Sequence, residues 1–369
     1  MAAVGTEVLR KALRQGANPE VWIRFPRQLG DLMFSLPFVN TLQTEWNQAA
    51  REEGASLRWI AVGHDIGASL FAETDPAFIS ESRIESRGEG KQDPMALARL
   101  WRNHPPVAVV NLSQSVRLGL AAWLARVPIR AGDNDNHLRF LYHHTFNYRN
   151  PGKHLANRFE DLLEPLIGRR TMQLLPVTPE RFGGGSGMDL LRELGWGGEP
   201  YIALAFGTRV DIKRWFPEEE KWPALARIFM ERGFRIVWLG GPDEVPLGAR
   251  LAEHVPGSLN ATGRTTIPEA CAIQYHAFGT VAVDTGLAHT SAATGRPTLA
   301  IFGPTFDAAC GPQGPYALVL RAPMVDVATD PAPEGGSCNG SHRLSAQRVA
   351  RLFFSLAEEA PMQATRPSA

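Results

Sequence analysis

Cysteine is scarce in this chain of 369 residues: the three present, Cys271, Cys310 and Cys338, are odd in number and widely scattered. They form neither a disulfide framework nor the spacing of a zinc site, so they read as buried or incidental thiols of a reducing compartment. Net charge is lacking as well, with 38 basic residues against 38 acidic ones. Bulk electrostatics therefore offers nothing to nucleic acid, and an anionic partner has to be met by local clusters of cations. No run reaches the roughly 20 apolar residues that a membrane-spanning helix needs. Met1 to Arg14 carries a charge every few positions and lacks the apolar core of a signal peptide, so a cytoplasmic protein is expected. His143 and His144 are adjacent, without the helical spacing of a metal-binding pair, and no metal is expected. The spaced glycine fingerprint of a dinucleotide-binding dehydrogenase, with its acidic ribose ligand, follows none of the strands. No repeat of solenoid length occurs.

What is present is an alternation. The length allows two domains, and a hydrophobic content of 44% allows each its own core. Apolar runs at 21–25, 57–62, 107–111, 201–206, 235–239, 281–283 and 298–302 read as buried strands, with a short one near 259–265. Helical periodicities lie between them, such as 32–46 interrupted early by Pro37, 154–167, 188–194 and 267–275. Strands alternating with helices imply α/β units built on parallel sheets with helices on both faces. Residues 80–93 read as a polar surface loop or weak edge, and the Pro- and Gly-rich segment 176–187 as the linker between domains. Expected domains are 1–180 and 181–344, with a final segment 345–369 whose helix packs back across the boundary.

Polar residues gather where strands end. After the strand at 281–283 come Asp284, Thr285, Gly286, Leu287, Ala288 and His289, leading into a helix closed by Gly295. Backbone N–H groups at such a helix start favour a phosphate, with Asp284 as cap and Thr285 and His289 as further donors; capping alone explains the same residue types. After the first strand, Gly30 permits close approach of a ligand, and Asp31 is either a helix cap or a general base. Ser113, Ser115 and Arg117 follow the strand at 107–111, and Gly240 and Gly241 the strand at 235–239. Gly207 and Thr208 can cradle a phosphate that Lys213 and one of Arg209 and Arg214 would neutralise. From 129 to 153, Arg130, Arg139, Arg149 and Lys153 are interleaved with histidines and aromatics, either a solvated loop or a wall facing an anionic acceptor.

Arg24, Phe25, Pro26, Leu29, Gly30, Asp31, Met33 and Pro37, then Lys213, Arg214, Trp215 and Pro217, resemble segments of the glycosyltransferase family 9 heptosyltransferases. The run from Asp284 to His289, Phe302, Gly303, Pro304 and Thr305, and the terminal Leu344, Ser345, Gln347, Arg348 and Val349 extend the resemblance over nearly the whole chain. It departs at Arg27 and Gln28, at Phe216 inside the Lys-Arg-Trp-Pro segment, and across 134–150. The resemblance implies the GT-B architecture, two Rossmann-like domains facing a central cleft. It implies an inverting, metal-independent transfer of heptose from ADP-heptose to a lipopolysaccharide-core hydroxyl. Asp31 would be the general base; Gly207, Thr208, Lys213, Gly240, Gly241, Asp284, Thr285, Gly286, Leu287 and His289 would hold the donor. Gly30, Ser113, Ser115, Arg117 and Arg130 would meet an anionic glycolipid acceptor, with peripheral contact at the cytoplasmic face of the inner membrane. A protein acceptor, another nucleotide sugar, a nucleotide-sugar epimerase and a non-catalytic nucleotide-sugar binder stand as alternatives; the epimerase lacks an evident second carboxylate.

Overall fold

Strands that are apolar throughout must be covered on both faces, and the chain meets that need twice. The computed structural model describes residues 4–84, 93–134, 139–150, 152–323 and 340–360. Cys338, His137, most of the expected 80–93 loop and the end of the tail lie outside the described residues. The chain divides into two compact units, Met1–Leu175 and Pro176–Ala369, against the expected division after residue 180.

The first unit holds β1 (Asn18–Arg24), β2 (Arg58–Gly63), β3 (Glu81–Ile84), β4 (Pro106–Asn111), β5 (Ile129–Asp133) and β6 (His144–Phe146). They form one parallel sheet in the order β3-β2-β1-β4-β5-β6. The second holds β7 (Tyr201–Ala205), β8 (Arg235–Leu239), β9 (Leu259–Asn260), β10 (Gly279–Val283), β11 (Thr298–Phe302) and β12 (Ala317–Arg321). Their order, β12-β11-β10-β7-β8-β9, is the same doubly wound arrangement, so each unit is Rossmann-like. Two edge strands, β6 and β12, were not read from sequence, and β3 takes the weak-edge alternative. β3 falls where a loop or weak edge was expected, β6 is three residues long, and β12 is largely half-exposed.

Every residue of β4, β7, β10 and β11 is buried. In the first unit Trp22 of β1 meets Trp101 edge-on at 4.8 Å. In the second, Phe206, Trp215, Trp222, Trp238, Phe229 and Phe353 share one core, each contributing on the order of 2 kcal/mol through burial. Phe353 belongs to the helix Ala346–Glu359, capped by Ser345, whose Oγ accepts from Arg348 N at 3.2 Å. Its apolar face, through Val349, Ala350 and Phe353, is part of this second-unit core. The helix Leu29–Glu52 begins earlier than its apolar period suggests and continues through Pro37.

The helix Ile267–His276 supports the second unit's site and is started by a capping box. Thr266 Oγ1 accepts from Glu269 N, and the Glu269 carboxylate accepts from Thr266 N at 2.7 Å. Gly184, at φ 83°, lies so close that a Cβ there would stand 2.2 Å from the Pro268 carbonyl carbon. Thr266→Ala should cost about 1 kcal/mol, lowering the thermal midpoint by roughly 2–4 °C. Gly184→Ala, which adds a backbone collision to a left-handed conformation, should cost more than Thr266→Ala; equal midpoints in calorimetric scans would contradict this packing.

Candidate active site

In a doubly wound sheet the crevice for ligands opens beyond the carboxyl ends of the strands, where the strand order reverses. That reversal falls between β1 and β4 in the first unit and between β7 and β10 in the second. The loops after these four strands carry most of the residues singled out from sequence.

In the first unit a cavity of about 250 Å³ lies among the loops after β1 and β4; Arg24, Gln28, Asp31, His64, Ser113, Ser115 and Tyr148 are among its lining. The helix Leu29–Glu52 starts from Gln28 as N-cap, so Asp31 sits in the first turn and is not the cap. Its Oδ2 accepts the Tyr148 hydroxyl at 2.7 Å. Burial, then the negative charge of Asp31, pushes the Tyr148 phenol far above its ordinary range, so it stays a donor. Arg24, the last residue of β1, is only 4% exposed, and its Nε donates to Ser113 Oγ at 2.7 Å. Asn111, paired with Arg24 in the β1–β4 register, accepts from the Ser113 hydroxyl at 2.9 Å and donates to Tyr142 Oη at 2.7 Å. The Tyr142 ring fills a notch between Gly119 and Gly132, where a Cβ would stand 2.3 Å and 2.5 Å from its atoms. The loop after β4 is thereby tied to β5 and to the helix Arg117–Leu124.

Three expected residues are not among the lining of this cavity: Gly30, in the first turn of the helix Leu29–Glu52, Arg117 and Arg130. Arg117 is the exposed first residue of its helix. Arg130 donates through Nε to the Leu141 carbonyl at 2.7 Å and through Nη1 to the Val127 carbonyl at 2.8 Å, and burial lowers its pKa. Its guanidinium is committed to holding backbone. Conversely Tyr148, His64 and Arg24 line the cavity without having been chosen as site residues. Tyr148 lies in the aromatic stretch 129–153, but nothing local pairs it with Asp31, which is 117 residues away.

In the second unit Lys213 ends the short turn Asp211–Lys213, and its Nζ lies 2.9 Å from Oδ2 of Asp284, which is 5% exposed. Asp284 was expected to cap the next helix. Thr285 takes the N-cap position of Gly286–Ala293 instead, and its side chain makes no capping bond. A nearly buried carboxylate gains more from an ammonium at contact than from a backbone N–H, which accounts for the difference. The other two cations of this loop are engaged elsewhere, Arg209 with Asp243 at 3.1 Å and Arg214 with Asp211 and Glu218. His289 is buried on the same helix. Gln274, fully buried, donates to the Leu287 carbonyl at 2.8 Å and accepts from Thr290 Oγ1 at 2.6 Å, fixing the first turn against the helix Ile267–His276.

Gly207, Gly240 and Gly241 surround one side chain, Glu244. A Cβ on Gly207 would stand 2.1 Å from Glu244 Cγ, and one on Gly240 3.0 Å from its Cβ. The Glu244 carboxylate accepts from Gly241 N at 2.8 Å. These glycines thus make room for an acid at the ends of β7 and β8 that sequence reading passed over. Thr208 Oγ1 accepts from Val210 N at 3.3 Å. Among the described residues no group of three or more His, Cys, Asp or Glu is placed to hold a metal ion.

Comparisons with known proteins bear on the family and the fold. Residues 103–328 match glycosyltransferase family 9 (heptosyltransferase). Lipopolysaccharide heptosyltransferase 1 of Escherichia coli (strain K12) is 33% identical over 125 residues, a match spanning 33% of this chain and only 38% of that protein. The glycosyl transferase family 9 structure from Veillonella parvula DSM 2008 is similar with a TM-score of 0.74 at 20% identity, covering 92% of this chain and 98% of that one. The E. coli ADP-heptose lps heptosyltransferase II structure is similar with a TM-score of 0.70 at 19% identity, covering 92% and 99%. At these identities the structures establish the fold, GT-B. The family match runs from before β4 to beyond β12, through the loops that carry Ser113, Tyr148, Lys213, Glu244 and Asp284, and the chain belongs to glycosyltransferase family 9, the heptosyltransferases.

Proposed function

We propose that this chain transfers a heptose from ADP-heptose to a hydroxyl of a lipopolysaccharide-core-type acceptor, with inversion at the anomeric carbon and without a metal. The acceptor oxygen attacks the anomeric carbon as the bond from that carbon to the diphosphate oxygen breaks. The hydroxyl proton passes to Asp31, and ADP leaves with the bonding electron pair. The observation that most supports this reading is the chemistry found at the two strand-order reversals: a carboxylate held by Tyr148 in one unit, and an ammonium beside a helix N-terminus in the other.

Lys213 stabilises the negative charge that grows on the leaving diphosphate, joined by first-turn N–H groups after Thr285 and by Thr208 and His289. Its contact with Asp284 keeps the ammonium over the helix start before donor arrives. Glu244, at the end of the second strand of its unit, is where doubly wound folds present an acid to a ribose hydroxyl. Gly207, Gly240 and Gly241 then act by admitting Glu244 and leaving backbone accessible. On the acceptor side the reading retains Ser113 and Ser115, keeps Gly30 only as backbone of the helix turn that carries Asp31, and adds Arg24, whose nearly buried guanidinium suits an anionic acceptor. Arg117 and Arg130 drop out of this set because neither lines the cavity.

Calorimetric titration with ADP-heptose, with UDP-sugars in parallel, tests the donor. Lys213→Ala should weaken ADP-heptose binding about 10- to 100-fold, the worth of a charge-assisted contact. Binding of a UDP-sugar alone would remove the heptose assignment, and undiminished donor affinity in Lys213→Ala would remove Lys213 from the site.

Turnover tests the base. Asp31→Asn should keep donor affinity and lower kcat by about 10²- to 10⁴-fold. Tyr148→Phe should lower kcat less, because it removes one hydrogen bond to the carboxylate and leaves the carboxylate itself in place. Because the phenol ionises well above its usual range, wild type and Tyr148→Phe should share the same rate-versus-pH shape up to about pH 10. An alkaline decline present only in wild type would show that Tyr148 titrates in that range.

A further inference from the structure

The loop that carries Lys213 is held from behind by a segment near the other end of the chain. Ser341 opens the short turn Ser341–Arg343, is 1% exposed, and follows Gly340, whose φ of 70° is left-handed. Its hydroxyl donates to the Arg214 carbonyl at 2.8 Å and accepts from Phe216 N at 3.1 Å. One side chain thus satisfies backbone groups on both sides of Trp215, 127 and 125 positions earlier. Trp215 itself is fully buried, and its Nε1 donates to the Leu344 carbonyl at 3.2 Å. Lys221, in the first turn of the helix Glu218–Met230, donates through Nζ to the carbonyls of His342 and Leu344 at 2.9 Å and 3.0 Å.

These contacts join two parts of unequal rigidity. On one side, Ser345 caps the helix Ala346–Glu359, whose Val349 and Phe353 lie in the same core as Trp215, Trp222 and Leu344. On the other, Asp211–Lys213 is a single three-residue turn without a buried side chain, so packing contributes little to its course. Phe216 is the residue by which this segment exceeds the Lys-Arg-Trp-Pro pattern, and its N–H is the donor that Ser341 receives. A loop longer by one residue has one more backbone donor to satisfy, and the Ser341–Leu344 segment supplies the acceptor.

Given Lys213 as the diphosphate ligand, on which this rests, we propose that Ser341, backed by Lys221, is a positioning residue for the donor. The Arg214 carbonyl that Ser341 grips is one residue past Lys213, whose ammonium stands 2.9 Å from Asp284. Fixing the backbone at Arg214 and Phe216 keeps that ammonium over the start of the helix Gly286–Ala293 before the donor arrives. Without the hydroxyl, the Arg214 carbonyl and the Phe216 N–H turn to water and the loop gains freedom. The ammonium is then correctly placed for a smaller fraction of the time, and affinity for a diphosphate falls although no charge has been removed. Lys221 acts on the same segment from the opposite side, holding the two carbonyls that follow Ser341 in the turn and at its end.

Titration of the full chain with ADP and with adenosine tests it. Ser341→Ala should weaken ADP binding about 5- to 20-fold and leave adenosine, which carries no diphosphate, within about twofold of wild type. Lys221→Ala should weaken ADP about threefold with the same selectivity, and it gives the answer if Ser341→Ala does not fold. In a Lys213→Ala background neither substitution should weaken ADP further, because the side chain they position is gone. Ser258→Ala is the matched control. Ser258, just before β9, likewise accepts from an N–H, Trp238 Nε1 at 2.8 Å, and donates to a carbonyl, that of Val255 at 2.7 Å. It should lower the thermal midpoint about as much as Ser341→Ala and leave ADP affinity unchanged. Undiminished ADP affinity in both Ser341→Ala and Lys221→Ala, equal losses for ADP and adenosine, or a further loss on top of Lys213→Ala overturns the proposal. Full ADP affinity in Lys213→Ala would remove the diphosphate assignment itself, and the role of Ser341 with it.

Discussion

Burial of whole strands on both faces is the constraint from which the remainder of this molecule follows. β4, β7, β10 and β11 have no exposed side, so polar chemistry has nowhere to go along their length. It is displaced to the carboxyl edges, where each parallel strand hands over to a helix and orphan N–H groups point outward. Two sheets with the same strand order give two such edges, and each reversal of order separates neighbouring loops enough to admit a ligand.

The two edges solve their electrostatics differently. In the first unit the charge is a carboxylate, and one of its partners is a neutral phenol that burial keeps protonated, so this contact orients Asp31 by hydrogen bonding. In the second unit the carboxylate of Asp284 is nearly buried and is met by the Lys213 ammonium. Removing one member of such a pair leaves the other poorly solvated, which makes the pair a positioning device as much as a source of charge. Around both, neutral groups set the backbone: Asn111 and Tyr142 fix the loop after β4, and Gln274 fixes the first turn of the helix after β10.

Several parts of this arrangement could be read from residues alone because their signals are local. Strand, glycine or polar turn, and helix recur within a dozen residues around Asp31, Lys213 and Asp284. The two α/β units follow from that recurrence. Other parts were hidden for specific reasons. β6 is too short and β12 too exposed to show as apolar runs. Arg130 looked like a ligand for an anion, and only the carbonyls of Val127 and Leu141 reveal that its donors are spent on backbone. Asp284 looked like a helix cap until Lys213, 71 positions earlier in the chain, came within 2.9 Å.

What the sequence by itself determined is the class of fold and the identity of the polar residues at each strand end. Both depend on short-range periodicity and on the few conformations that glycine, proline and capping residues permit. What only the tertiary structure decided is which of those residues share a site. Tyr148 reaches Asp31 over 117 positions, and Arg24 reaches Ser113 over 89, because the sheet order sets β4 beside β1 and the segment after β6 returns to the start of the helix Leu29–Glu52. Side-chain neighbours across such distances are chosen by the packing of whole elements, and local propensity carries no record of them.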